Sequence, residues 1–130
     1  MVRKSEGDFV TGFTRNGANI FLAITNDGWW GDTDGHRQHM HYMRMRAIEN
    51  RRSVARSANT GISCFINQRG EVFQPQAWAT DAVIRQEIMA NDELTFYAKN
   101  GDLIGRVAVF ITVILIIAAF VQGYLKKLRN

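Results

Sequence analysis

Four groups of residues in this chain of 130 have types and spacings that bear on chemistry. His36, His39 and His41 fall close together, a density that raises the question of a metal. On a helix, however, His36 and His39 share a face while His41 is turned by about 200° from His39, and no cysteine or acid stands at a usual zinc spacing. The expectation is no metal and no cofactor. The single cysteine, Cys64, excludes an intramolecular disulfide. In GISCFINQRG it alternates with Ile62 and Ile66, which places it on one apolar strand face as a buried thiol. Arg37, Arg44, Arg46, Arg51, Arg52 and Arg56, with a net charge of +4, invite a nucleic-acid reading. Phosphate contact needs such residues gathered on one exposed face. Here they surround a helix, and Glu49 stands at three-residue spacing from both Arg46 and Arg52, so no nucleic-acid partner is expected. The fourth group is AITNDGWWGDTDGHRQH, which sets Trp29 and Trp30 between Gly28 and Gly31 at the end of an apolar run. Two of the bulkiest side chains therefore sit on what reads as a loop.

The elements that position these groups follow from pattern. Asp8 to Arg15 reads as the end of a helix, closed at Asn16 and Gly17, residues that tolerate left-handed geometry. Asn19 to Ile24 is a strand whose consecutive apolar residues, IFLAI, predict cover on both faces, as in a parallel sheet with helices across it. A helix from about His36 to Arg52 follows the tryptophan loop. It has Met40, Met43, Ala47 and Ile48 at core spacing and Arg37, Arg44 and Arg51 on another face. Ser53 to Ala58 and Gly61 to Asn67 are strands, Asn67 to Gly70 turns into Glu71 to Gln74 as a hairpin, and Ala82 to Ile88 is one further strand. Strand, helix and strand followed by hairpins give an α/β layered domain.

The last quarter is different in kind. Val107 to Leu125 is nineteen residues without a charge, which as a helix spans roughly 28 Å, close to the hydrocarbon thickness of a bilayer. A buried core helix would keep a polar face, and this segment offers only Thr112, Gln122 and Gly123. A transmembrane helix is expected over residues 106–125, after a globular part over 1–105 and before a basic tail over 126–130. Lys126, Lys127 and Arg129 outweigh Arg106, so the positive-inside rule puts the C-terminus in the cytoplasm and the globular part outside. MVRKSEGDFVTGF has no apolar stretch of signal-peptide length. An outside placement then calls for earlier helices of a longer polypeptide; failing that, the chain is tail-anchored and faces the cytoplasm.

In order and spacing, Asn26-Asp27, Trp29-Trp30, the helix with Arg46-Ala47-Ile48-Glu49, the junction Arg56-Ser57-Ala58-Asn59-Thr60-Gly61 and Gln68-Arg69-Gly70 carry a family signature. From Gly7 to Arg106 the chain resembles the C-terminal half of the carbon-nitrogen hydrolase (nitrilase) domain, and most closely its bacterial apolipoprotein N-acyltransferase branch. LTFYAKNGDLIGR followed by an apolar helix fits that branch better than the soluble nitrilases. The resemblance implies part of an α-β-β-α sandwich, followed by one C-terminal transmembrane helix, in the bacterial cytoplasmic (inner) membrane with the sandwich in the periplasm.

In that branch an acyl chain passes from a phospholipid to a cysteine thiolate, and from there to the N-terminal cysteine of a lipoprotein. A glutamate serves as base and a lysine stabilises the oxyanion. By register the family's Cys-Tyr-Glu motif falls near Met1, where MVRKSE does not reproduce it, and the glutamate and lysine belong still farther upstream. No catalytic residue is therefore expected in this chain, which alone should be inactive; Cys64 lies on a different strand from the nucleophile. The resemblance implies substrate-binding positions at the strand ends, namely Asn26, Asp27, Trp29, Trp30, Asn59 and Gly61. The indoles would offer an apolar wall to an acyl chain. Arg46 and Glu49 would give structural support as an ion pair. Two readings stay open: a fragment of an acyltransferase whose substrates are phospholipid and lipoprotein at the membrane, and a non-catalytic, membrane-anchored nitrilase-like remnant with a binding role.

Overall fold

The computed structural model describes residues 6–129, so the register position of the family nucleophile near Met1 and the last residue of the basic tail lie outside the described residues. The chain divides into two compact units between Lys99 and Asn100. In the first, α1 (Glu6–Arg15) leads into β1 (Ile20–Thr25), a 3-10 turn (Gly28–Trp30), α2 (Asp34–Asn50), β2 (Ser53–Ala58), β3 (Cys64–Ile66), β4 (Val72–Phe73) and the start of α3 (Phe96–Asn100). The sheet runs β1-β2-β3-β4. β1 and β2 are parallel, with Phe21 beside Val54 and Ala23 beside Arg56, and α2 is the crossover between them. β2–β3 and β3–β4 are antiparallel hairpins.

Local chemistry sets these boundaries. α1 stops where Gly17 takes φ +93° and Ala18 donates back to the Phe13 carbonyl at 3.0 Å. Thr33 caps α2 by accepting from the Gly35 amide at 3.3 Å, and α2 ends at Arg51 in the left-handed region. In the β3–β4 turn, Asn67 Oδ1 accepts from the Arg69 and Glu71 amides while Gly70 adopts φ +81°.

The core lies on one face of the sheet. Met40 and Ala47 of α2 pack on Val54, Cys64 and Ile66, with Phe21, Ala23, Met43, Ile62 and Val72 around them. Cys64 is thus a core thiol. Burial pushes its pKa up and the nearby Arg56 charge offsets this only in part, so it is held as the unreactive thiol. Ile48, expected in the core, is instead a half-exposed side chain leaning over Gly70.

Three sequence expectations are corrected. The opposite face of β1 is open: Leu22 is 72% and Ile24 89% exposed, so the continuous apolar run records a face that calls for cover which the described residues do not supply. Gly61 to Asn67 shortens to Cys64–Ile66, because Ser63 Oγ bonds the Ala58 amide and carbonyl and closes residues 59–63 into a turn. Ala82 to Ile88 forms no strand. Its alternation marks two faces, but a strand also needs a backbone edge alongside, and this segment is held by side chains instead, Gln74 Nε2 donating to the Arg85 carbonyl at 2.9 Å.

Arg52 fastens the end of this strap. It is buried, and its guanidinium donates to the carbonyls of Ala18 (2.7 Å), Asn50 (3.1 Å) and Glu93 (2.9 Å), tying the α1–β1 and α2–β2 connections to the chain before α3. Ser53 Oγ adds a bond to the Met89 carbonyl at 2.7 Å.

The second unit is dominated by α4 (Leu103–Arg129). Asp102 caps it, its Oδ1 accepting from the Gly105 amide at 2.8 Å. Leu103–Lys126 is the one helix among the described residues long and apolar enough to cross a membrane, and none of its most apolar window is buried. A core helix of a soluble domain would bury a face. Thr112 returns its hydroxyl to the Ala108 carbonyl at 2.8 Å, so its donor is satisfied within the helix.

Candidate functional site

Because β1 and β2 are parallel, their carboxyl ends emerge side by side, at the place where α/β sheets collect ligands. The chain leaves β1 as Asn26-Asp27 and β2 as Asn59-Thr60-Gly61. Both asparagines shape turns: Asn26 Oδ1 accepts from the Gly28 amide at 3.0 Å, and Asn59 Oδ1 from the Thr60 amide at 2.8 Å. The Asn59 amide continues the sheet by donating to the Thr25 carbonyl.

Asp27 lies beneath these turns, fully buried. Oδ2 accepts from Arg56 Nη2 at 2.7 Å, and Oδ1 accepts from Thr25 Oγ1 at 3.1 Å and from His39 Nδ1 at 2.8 Å. Arg56 is equally buried and also donates Nη1 to the Ile62 carbonyl. A carboxylate only accepts, so the short His39 contact assigns the hydrogen to Nδ1, and the 3.3 Å approach of Arg56 Nη2 to that nitrogen is packing. Burial by itself raises the Asp27 pKa, but the bonds from Arg56, His39 and Thr25 and the Arg56 charge together exceed it and hold the pKa below 3.8. Gly61 rests directly on this carboxylate: a Cβ there would overlap it. The need for glycine at 61 is thus a close approach to Asp27.

The tryptophans stand above. Trp29 is 85% exposed, whereas Trp30 is 44% exposed and its ring meets the His39 ring edge-on, with centroids 5.2 Å apart. The sequence-predicted strand-end residues are brought together, with Asp27 below the surface and Trp29 at its most open point. Arg46 and Glu49 do form an ion pair at 2.8 Å, but beside Gly7 and Tyr97, about two turns along α2 from His39. Sequence reasoning missed the roles of His39 and Arg56. The available signal was alternation in β2: Val54 and Arg56 share the core face, and an arginine pointing into a core requires an acid.

Comparison with known proteins then decides the family, since residues 9–93 match the carbon-nitrogen hydrolase family model. The chain belongs to the carbon-nitrogen hydrolase family. The match spans α1 to the strap before α3, and so includes every residue of the buried carbon-nitrogen hydrolase network described above. Among curated relatives, the apolipoprotein N-acyltransferase of Chlorobaculum tepidum is 36% identical over 113 residues, covering 87% of this chain and 21% of that protein. That of Wigglesworthia glossinidia brevipalpis is 29% identical over 124 residues, covering 95% of this chain and 24% of that protein. That of Allorhizobium ampelinum is 48% identical over 58 residues, covering 45% and 11%. The chain spans about a fifth to a quarter of the length of the first two of these relatives, and its match to the third covers a smaller share.

Proposed function

We propose that this chain forms the C-terminal part of an apolipoprotein N-acyltransferase. It supplies one wall of the acyl-transfer cleft at the β1 and β2 ends, and anchors that wall through α4. The observation that carries the reading is continuity. Similarity over 124 residues takes in both the carbon-nitrogen hydrolase unit and most of α4, so the strand-end segment and the apolar helix are matched together in one relative. The acyl donor is a phospholipid and the acceptor the N-terminal cysteine of a lipoprotein. Trp29 lines the path of the acyl chain, Trp30 backs it, and Asn26, Asn59 and Gly61 shape the rim with their backbone. The thiolate, base and oxyanion lysine are supplied by polypeptide other than these residues. The excess of Lys126, Lys127 and Arg129 over Arg106 in the sequence supports an orientation with the C-terminus in the cytoplasm and the strand ends in the periplasm.

A segment exchange tests the role of the wall. The matching stretch of the C. tepidum relative is replaced by residues 9–129 of this chain, and transfer from phospholipid to a diacylated lipopeptide is measured in detergent. Trp29→Ala in the exchanged enzyme should lower kcat/KM about tenfold or more, the scale of losing one large apolar contact, while the thermal midpoint moves by only about 2 °C because the ring is exposed. Equal loss of transfer and of folding would place Trp29 in the core and remove it from the cleft.

A further inference from the structure

The two tryptophans differ in how they are held. Trp29 has little of its surface covered, whereas the backbone of Trp30 and two sides of its ring have fixed partners. Its amide donates to the Asp27 carbonyl at 3.2 Å, and its carbonyl accepts from Thr33 Oγ1 at 2.8 Å. Its ring lies over Gly35, where an added Cβ would come within 2.7 Å of Cγ and 3.0 Å of Cβ and Cδ1. The ring edge meets His39. Gly35 and His39 are four apart on α2 and therefore stacked on one helix face, so together they make a seat. One side of the seat is bare because residue 35 has no side chain. The other is an imidazole whose direction is set by the bond from its Nδ1 to the buried Asp27 carboxylate.

The glycine is there for Trp30. Residue 35 lies in the first turn of α2 with no left-handed backbone angle, and alanine is the better helix former. What forbids a side chain is the indole itself. His39 in turn is only 31% exposed and its Nδ1 is committed, so in this position it acts as a strut.

The geometry points to Gly35 and His39 as positioning residues: they lock Trp30 onto the first turn of α2 and thereby hold the adjoining Trp29 out at the mouth of the strand-end cleft. Trp30 is the fixed member of the pair, Trp29 the presented one. The consequence for acyl transfer rests on the function proposed above; the seat itself does not.

The test therefore has two separate readouts. In the full 130-residue chain in detergent micelles, Trp29→Phe and Trp78→Phe leave Trp30 as the only tryptophan, read by selective excitation at the red edge of its band. Because Trp30 is 44% exposed, its release leaves room for about a twofold rise in collisional quenching by acrylamide. Gly35→Ala, which crowds the ring from one side, and His39→Asn, which keeps a donor for Asp27 but removes the ring, should each produce that rise with unchanged far-ultraviolet dichroism. An unchanged quenching constant in either folded variant overturns the seat. In the segment-exchanged acyltransferase, Gly35→Ala should raise KM for the phospholipid with kcat nearly unchanged, since the seat touches no reacting atom. Failure of exchanged enzyme to transfer acyl chains at all would strike the proposed function and leave the quenching result standing. A fall in kcat at constant KM would instead overturn the positioning role.

Discussion

Arg56→Met should destabilise the chain by about 3–5 kcal/mol, because it leaves the Asp27 carboxylate buried without its cation. The attraction between these two groups has to offset the removal of both from water. The pair together is therefore close to balanced, while either member alone is strongly unfavourable. Asp27→Asn should cost a similar amount by stranding the Arg56 guanidinium. The double variant should be less damaged than the two single losses added together, by about 0.5–3 kcal/mol. Urea unfolding of the full chain in detergent, followed by tryptophan emission, measures all four corners of the cycle, and strict additivity would show that the pair is not coupled.

The same site sets the response to acid. The Asp27 pKa is held below its ordinary 3.8, so its contribution is fully present above that value and is lost as the pH falls through the lowered one. Arg56→Met removes the main cause of the lowering, and its deficit should shrink on acidification as Asp27 takes up a proton. Parent and variant therefore converge at low pH. A deficit that stays constant from neutral pH to below 3.8 would place the loss in packing and not in charge.

Gly61→Ala should be the most damaging single methyl addition at the site, costing about 1–3 kcal/mol or more. The added Cβ would overlap Asp27 Oδ2 and stand 2.7 Å from Cγ and 2.8 Å from Cβ. An unconstrained carboxylate would swing aside at little cost. This one is tied from three directions by Arg56, His39 and Thr25, so making room breaks the network. Loss of the unfolding transition at moderate urea, together with release of Trp30, would bear this out; a midpoint equal to the parent's would mean that the junction after β2 yields freely.

Much of the architecture is legible in the sequence because single residues enforce it. Asn16-Gly17 stops α1, Asn67 to Gly70 dictates the hairpin, the alternation of Ile62, Cys64 and Ile66 gives the core face of β3, and the charge-free run from Val107 gives α4. What is not legible depends on partners distant in sequence. The alternation of Ala82 to Ile88 cannot reveal that no backbone edge lies beside it, and the apolar outer face of β1 announces a need for cover without saying what meets it.

The site divides in the same way. The sequence groups Asn26, Asp27, Trp29, Trp30, Asn59 and Gly61 at the strand ends, but does not show how labour is split among them. That Asp27 is a buried anchor follows from Arg56, twenty-nine positions away, and from His39 on the intervening helix. A histidine triplet that first raises the question of a metal thus provides one strut, His39, while His36 is buried against Trp78 with ring centroids 4.6 Å apart. Several arginines that first suggest nucleic acid are drawn into internal bonds: Arg44 to the Gly70 carbonyl, Arg46 to Glu49, Arg52 to three carbonyls of connecting segments and Arg56 to Asp27.

The most direct measurement is made in a bacterial strain depleted of its own apolipoprotein N-acyltransferase and given the C. tepidum enzyme with its matching stretch replaced by residues 9–129. Mass spectrometry of a reporter lipoprotein should find its N-terminal cysteine carrying a third acyl chain. Reporter lipoprotein that stays diacylated, although the exchanged enzyme is folded in the membrane and the unmodified C. tepidum enzyme restores the third chain in the same strain, would contradict the assignment of this chain to the acyl-transfer cleft.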